Sequence, residues 1–188
     1  MFLGLIYKLP VVSAFELNTQ TELEKSTMSV VNNSVVGERI KYFNSNVVIQ
    51  KDGSIVVVEE IKYYFDSPRH GIFRNIPFTK YSNGKRYDLD FTFIPVTDDS
   101  NKRYHVSKSK DGEQWVLKIG DPDRTISGDH TYIISYTVKG ALGYFTEHDE
   151  LFWNVTGNGW DVPIQKASDT ILFPEKLSED KIKLICYS

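Results

Sequence analysis

Acidic and aromatic side chains lie close together between Tyr144 and Trp160. The carboxylates are Glu147, Asp149 and Glu150, and the aromatic residues are Tyr144, Phe145, Phe152, Trp153 and Trp160. Glycoside hydrolases use two carboxylates beside the sugar, one as a proton donor and one as a base or nucleophile. The same residue types also serve in a loop that binds sugar or peptide without chemistry. A third interpretation is structural, with Phe152 and Trp153 in the core and the acidic run in solvent.

Of these interpretations we favour a binding loop for the proposed function. The contact residues that we predict are His148, Asp149, Glu150, Trp153 and Trp160. A hydrolase is the alternative, and it requires two of the carboxylates in one cleft, about 5 to 10 Å apart. We assign no catalytic residue from the sequence.

Glu59 interrupts an otherwise apolar face of a predicted strand. The other residues on that face are Ile55, Val57, Ile61, Tyr63 and Phe65. A carboxylate on an apolar face is costly unless it is paired and hydrogen-bonded. Arg74, in the Pro- and Gly-punctuated segment that follows, is the expected partner because a guanidinium can clamp a carboxylate at two places. Alternatively, a bulge in the strand turns Glu59 towards water.

Sequence motifs of catalysis or metal binding are missing from the chain. There is no P-loop, G-x-S-x-G or H-E-x-x-H motif, and the histidines are scattered. Asp121, Asp123, Asp129 and His130 have the right atoms for a cation, but Asp-Pro-Asp is also ordinary turn chemistry. We therefore predict neither a metal nor a cofactor.

Composition indicates one β-rich domain. The chain has 188 residues, a net charge of −3, and 11 Tyr and 11 Phe residues. Aromatic and β-branched residues suit a pleated, half-buried surface. The charges are dispersed, so the sequence has no basic patch for nucleic acid, and we predict no nucleic-acid partner.

Turn residues divide the sequence into eight or nine short predicted strands without a long amphipathic helix. The clearest pair is Ile40 to Gln50 and Ser54 to Phe65, joined by the turn Lys51-Asp52-Gly53. Tyr87 to Val96 is predicted as one strand because Leu89, Phe91 and Phe93 alternate along it. This spacing of strands favours a β-sandwich over a βαβ fold.

Tyr132 directs the prediction towards an immunoglobulin-like or fibronectin-like antiparallel sandwich. It follows a small-residue corner at Ile126-Ser127-Gly128, and we expect it to begin a strand of strict alternation that continues to Val138. A tyrosine just after a crossing between sheets, followed by that alternation, is typical of a tyrosine corner. The fold class that we predict is therefore all-β.

The two ends of the chain leave alternatives open. Residues 1–15 are either the tail of an export signal, cut after Ala14, or an apolar arm that belongs to the domain. Residues 16–38 are polar and are predicted to be a flexible lead-in, with the sandwich domain at 39–188. Cys186 is either a small buried hydrophobe or one half of a disulfide whose partner lies beyond a truncated C-terminus.

Four segments together resemble the N-terminal domain of the YciQ-like predicted membrane proteins of bacteria and some archaea. They are Asp52-Gly53-Ser54 with Val57 and Glu59, His70 to Arg74 with Ile76-Pro77, Ile119 to Asp123 with Gly128 and His130 to Tyr132, and Asp149 to Asn154 with Gly157 and Trp160. The resemblance implies an exported domain at the outer face of the cytoplasmic membrane, tethered by transmembrane helices that this chain lacks. By itself the chain is then expected to be secreted. We predict a protein or a cell-envelope glycan as its partner.

Overall fold

The computed structural model describes residues 2–7, 16–18, 37–82 and 84–187, and these residues form β-strands and no α-helix. One 3-10 turn lies at Glu179–Lys181. The all-β prediction is therefore confirmed. In chain order the strands are β1 (Phe2–Tyr7), β2 (Glu16–Asn18), β3 (Arg39–Ile49), β4 (Ile55–Arg69), β5 (Ile72–Pro77), β6 (Thr79–Ser82), β7 (Lys85–Asp88), β8 (Asp90–Phe93), β9 (Val106–Asp111), β10 (Gln114–Ile119), β11 (Ile126–Lys139), β12 (Leu142–Tyr144), β13 (Asp149–Asn154), β14 (Ala167–Leu172) and β15 (Ile182–Tyr187).

The strands form three sheets and one separate hairpin. The largest sheet has the order β2-β14-β3-β4-β11-β8, the second β12-β13-β1-β15, and the third β5-β10-β9, while β6 pairs with β7 alone. Nearly all pairs are antiparallel, which is consistent with a β-sandwich. The exception is β14, which runs parallel to β3. The more specific immunoglobulin-like topology stays a prediction.

The hairpin of β3 and β4 is built as its sequence pattern indicates. Alternate residues on both strands are buried, including Val47 on β3 and Val57 on β4, which lie opposite each other in the pairing. Gly53 supplies the positive φ of the turn, at 79°. Asp52 closes the turn by accepting hydrogen bonds from the backbone N–H and the hydroxyl of Ser54, at 3.0 and 2.6 Å.

Two predicted strand boundaries are wrong. The stretch predicted as one strand from Tyr87 to Val96 is two strands, β7 and β8, separated at Leu89. The backbone N–H of Leu89 donates to the carbonyl of Phe78 at 2.7 Å. It therefore does not take part in the ladder of hydrogen bonds that one continuous strand would need. Likewise, β11 begins at Ile126 rather than Tyr132, and a register shift between Ile126 and Gly128 absorbs the small-residue corner into the strand.

Tyr132 lies in the core, where its ring stacks on Tyr104 with the centroids 4.7 Å apart. Burial raises the pKa of Tyr132. Within the described ranges its hydroxyl has no hydrogen-bond partner, so the bond to the backbone that defines a tyrosine corner is not formed there. Tyr104 makes a comparable bond instead, by donating its hydroxyl to the carbonyl of Thr131 at 3.0 Å.

The N-terminal segments take part in two sheets. Strand β1 lies between β13 and β15 and pairs antiparallel with both, and β2 pairs with β14. The predicted cleavage after Ala14 and most of the predicted lead-in fall on residues 8–15 and 19–36, which are outside the described residues. The backbone of Cys186 pairs with Leu3, whereas its side chain, on which the disulfide prediction depends, is outside the described part.

Candidate functional site

A buried ion pair joins β4 to β5. Arg74 donates from Nε and Nη2 to the two carboxylate oxygens of Glu59, at 2.7 and 2.6 Å, and the two side chains are 1% and 0% exposed. The Tyr136 hydroxyl donates a third hydrogen bond to Glu59 at 2.6 Å. Burial works against the charge of Arg74, but the charge and hydrogen bonds of Glu59 outweigh it and raise the pKa of the guanidinium. The guanidinium therefore keeps its charge inside the core.

The same guanidinium fixes the loop that follows β13. Its Nη1 donates to the carbonyl of Thr156 at 3.1 Å, and the indole N–H of Trp160 donates to that carbonyl at 2.8 Å. Gly157, with a φ of 75°, lies directly against the guanidinium, where a side-chain methyl group would overlap it. The buried guanidinium of Arg74 therefore fixes the position of the loop from Thr156 to Trp160.

Asp169 extends this polar cluster across the largest sheet. It is paired with Ser45 in the register of β14 and β3, and Ser45 is paired with Glu59 in that of β3 and β4. Burial raises the pKa of Asp169 to about 6; hydrogen bonds from Ser45 and the Thr170 backbone oppose the shift, and the charge of Glu59 adds to it. The sequence analysis missed Asp169 and Ser45, because only the parallel pairing of β14 with β3 brings them together.

A cleft of about 500 Å³ lies between β6 and the edge formed by β12 and β13. Its volume is within the range of small-molecule sites, about 300–1,000 Å³. Apolar and polar side chains both line it. They include Ile76, Lys80, Tyr81, Leu89, Phe145, Glu150, Phe152, Trp153, Asn154 and Asn158.

Lys80 connects the two walls of the cleft. Its Nζ donates to the carbonyl of Leu142 at 2.8 Å and to that of Ala141 at 3.4 Å, which ties β6 to the edge at β12. Burial lowers the pKa of Lys80, and the negative charge of Glu150 opposes that shift. The cleft therefore contains one cation and one anion that interact across it.

The structure brings some of the five predicted contact residues together and separates others. Glu150 and Trp153 line the cleft. His148 lies beside it, with Nε2 3.9 Å from the Glu150 carboxylate. Asp149 is absent from the lining. Trp160 lies elsewhere, against Arg74 and Phe43.

The most exposed aromatic side chains in the cleft lining are ones that the sequence analysis did not choose as contact residues. Phe152 is 54% exposed and Tyr81 is 65% exposed, whereas Trp153 is 6% exposed. The alternation of β13 explains this, since Leu151 and Trp153 face the core and Phe152 faces outwards. If Leu151 had been assigned to the core face of this strand, the same alternation would have identified Phe152 as outward-facing from the sequence.

Three of the four residues weighed as cation ligands make local side-chain contacts. Asp121 accepts from the backbone N–H of Asp123 at 2.9 Å, and Asp129 pairs with Lys41 at 3.0 Å. His130 lies 3.1 Å from the carbonyl of Ser127. Across the described ranges, no group of three or more His, Cys, Asp or Glu side chains is arranged to hold a metal ion.

Two solved structures illustrate distant likenesses. An M1 zinc metallopeptidase from Deinococcus radiodurans aligns at 10% identity and a TM-score of 0.36, over 54% of this chain and 20% of that one. A non-cellulosomal cohesin from Archaeoglobus fulgidus aligns at 15% identity and a TM-score of 0.31, over 73% of this chain and 91% of that one. Likenesses this weak carry no argument about fold or function.

Sequence comparison identifies the family. The chain is 28% identical over 145 residues to the "Uncharacterized protein YciQ" of Escherichia coli (strain K12), which covers 72% of this chain and 22% of that protein. The chain thus spans about a fifth of the relative's length. No helix among its described residues is long and apolar enough to span a bilayer. Residues 39–187 match the N-terminal domain of the predicted membrane protein family DUF2207, and the chain therefore belongs to that family.

Proposed function

We propose that this chain is a recognition domain, exported and held at the outer face of the membrane, that binds its partner in the cleft beside β13. The observation that carries the proposal is the exposed ring of Phe152 in a cleft that also contains Glu150 and Lys80. A concave, mostly apolar site with a few convergent polar groups is the usual form of a ligand site. Exposed apolar surface that is concentrated in a groove, rather than scattered singly, is typical of an interaction site.

The scaffold beneath the cleft supports a binding role. The walls come from separate parts of the chain, and Lys80 bridges them through the carbonyls at β12. At one end, the Asn154 side chain donates to Asn158 at 3.1 Å and accepts from the Gly157 backbone N–H at 2.9 Å. Binding residues that are held in place before the ligand arrives lose less conformational entropy on association.

The hydrolase alternative receives no comparable support. Of the carboxylates Glu147, Asp149 and Glu150, Glu150 is the one that lines the cleft. Both mechanisms of glycoside hydrolysis need a second carboxyl group facing the same bond. We therefore propose binding without catalysis.

Sedimentation with isolated cell envelopes tests this proposal. The purified chain should pellet with envelopes of its source organism, and the variant Phe152→Ser should remain largely in the supernatant. Phe73→Ser is the matched control, because Phe73 is 57% exposed but lies on β5 outside the cleft lining. Equal pelleting of both variants and the wild type, or no pelleting of any, would contradict the proposal.

A further inference from the structure

We propose that a groove between the end of β8 and β9 binds a free medium-chain fatty acid, with its carboxylate at Lys108 and Lys110. The groove has a volume of about 270 Å³. It has no described lining residue in common with the cleft beside β13, so the inference goes beyond the proposed function. The described lining residues are Phe93, Ile94, Pro95, Val96, Tyr104, Val106, Lys108 and Leu117.

The groove lies where two sheets present their end strands. In the strand order of the described residues, β8 is the last strand of the largest sheet and β9 is the last strand of the third. The chain after β8 stays bonded to β11, because the backbone N–H of Ile94 donates to the carbonyl of Ser135 at 2.9 Å. In the segment that leads into β9, the N–H of Tyr104 donates to the carbonyl of Val96 at 2.9 Å. The walls are therefore fixed before a ligand arrives, which reduces the entropic cost of binding.

The lining suits an acyl chain. Lys108 is the one charged side chain among the described lining residues, and the others are apolar apart from the hydroxyl of Tyr104. Val96 and Leu117 are buried, whereas Ile94 is 51% exposed and would be covered by a ligand. Each methylene group that the groove buries strengthens binding roughly fourfold. The volume is below the 300–1,000 Å³ or so of a drug-sized site, so the groove has room for one slender chain and not for two.

Two lysines on β9 provide the site for the carboxylate. Lys108 and Lys110 are two residues apart on one strand, so their side chains lie on the same face. The Nζ of Lys108 is 5.3 Å from the ring centroid of Phe93. The Nζ of Lys110 is 4.2 Å from the ring centroid of Phe78 and 4.8 Å from that of Trp115.

Both ammonium groups are open to an anion. Lys108 and Lys110 are exposed, and neither forms an ion pair with a described residue. A carboxylate that reaches them accepts charge-assisted hydrogen bonds, which are stronger than bonds between neutral groups. An apolar groove with cations beside it therefore matches a ligand that joins an apolar chain to an anionic head.

Acidic residues near Tyr104 set the direction of the ligand. Tyr104 lines the groove ahead of β9, whereas the two lysines lie further along that strand. Burial raises the pKa of Tyr104 to about 12, and the negative charges of Asp98 and Asp99 add to the shift. Those carboxylates repel an anionic head. The head therefore lies at the lysines and the chain extends towards Tyr104.

Calorimetric titration of the full chain with decanoate tests the inference. We expect one decanoate to bind per chain with a Kd below about 1 mM. Octanoate should bind roughly tenfold more weakly, because it has two fewer methylene groups to bury. Decyltrimethylammonium has a chain of similar length with a cationic head, and it should bind at least roughly tenfold more weakly than decanoate.

Substitution of the lysines tests the head-group site. Lys108→Gln should weaken decanoate binding roughly tenfold, and Lys108→Gln combined with Lys110→Gln should abolish it. Lys118→Gln is the matched control, because Lys118 is an exposed lysine of the same sheet that lies over Phe73, outside the groove lining. This control should bind decanoate as the wild type does. Circular dichroism and urea unfolding of each variant separate loss of binding from loss of folding.

Three outcomes would overturn the inference. The first is decanoate binding that survives the double substitution or that decyltrimethylammonium equals. The second is no decanoate binding, and the lysines would then serve to keep the edge of β9 from pairing with another strand. The third is pelleting with phosphatidylglycerol vesicles without decanoate binding, which would assign the lysines to a bilayer surface. Each of these results is independent of envelope binding through Phe152, so the proposed function stands or fails separately.

Discussion

At the scale of single residues, Glu59 and Arg74 stabilise each other's charge inside the core. Each charge is buried, and either one left alone would have to be desolvated without a partner. Arg74 also holds the Thr156 carbonyl, in the segment between the cleft-lining residues Asn154 and Asn158. The pair is therefore both a condition for folding and a support for the proposed binding site.

Removal of one partner from this pair should be strongly destabilising. We expect Glu59→Gln and Arg74→Leu each to lower the free energy of unfolding by about 3–5 kcal/mol, because each leaves a buried charge uncompensated. The double variant should lose less than the sum, as urea unfolding of all three variants would show. Glu60→Gln, next on the same strand and paired with Lys62 at the surface, should change the stability by less than about 1 kcal/mol. Strictly additive losses for the two buried residues would contradict a direct pair.

Asp169 should make the stability of the domain depend on pH. Its folded pKa of about 6 lies above the unfolded value of 3.8, so the folded state binds more protons between these values. Its contribution is therefore largest below about pH 4 and is lost as the pH rises through about 6. Asp169→Asn should remove this fall, which can reach about 3 kcal/mol, when unfolding is measured from pH 4 to 8.

Asp98 is a control because its pKa is shifted in the opposite direction from that of Asp169. Hydrogen bonds from Ser100 and Lys102 lower its pKa, so its contribution is present at neutral pH and disappears on acidification. A variant Asp98→Asn should therefore flatten the acid side of the profile only. The role of Asp169 would be refuted if its variant kept the wild-type loss of stability between pH 4 and 6.

At the scale of strands and loops, the sequence predicts best where one face of a strand is buried. The alternation of β3, β4 and β11 is visible because each has an apolar face, and Glu59 stands out against it. The β6–β7 hairpin is mostly exposed, so it has no apolar face to reveal it, and it was not predicted as a hairpin. Because β6 of that hairpin lines the cleft, the cleft could not be derived from the sequence.

The loop after β13 allows the effect of one contact to be isolated. Gly157→Ala should destabilise the domain because the new methyl group would overlap the Arg74 guanidinium at a positive φ. Gly112→Ala introduces the same backbone strain, about 1–2 kcal/mol, in a turn where the methyl group meets no atom within 4 Å. We expect urea unfolding to show a larger loss for Gly157→Ala, with weaker envelope binding for that variant alone. Equal losses would mean that the loop does not depend on the guanidinium.

At the scale of the whole molecule, the cleft and the buried cluster are products of long-range topology. Asp169 meets Ser45 only through a parallel pairing between strands more than a hundred residues apart, and Lys80 meets the β12 edge across sixty residues of chain. Local patterns determine which faces are apolar, but they carry no information about which strands become neighbours. The pair of Glu59 and Arg74 was predicted across this distance because a lone buried carboxylate is costly and needs a partner from elsewhere in the chain.

Strand β1 provides the last test, because it lies between two strands, β13 and β15, that are not neighbours in the sheet order. Phe2–Tyr7 fills the position between β13 and β15 with six paired residues on each side, although it lies outside the segment that matches the family. A chain that begins at Phe15 would leave both neighbouring strands with unpaired backbone groups, which are costly when they are buried. We expect this truncated chain to unfold at a lower urea concentration than the full chain, and Leu5→Pro to have the same effect, because proline in a central strand removes a ladder hydrogen bond. If both variants unfold at the wild-type urea concentration, β1 contributes nothing to the folded domain. The prediction of an export signal that is cut after Ala14 would then be the better account of these residues.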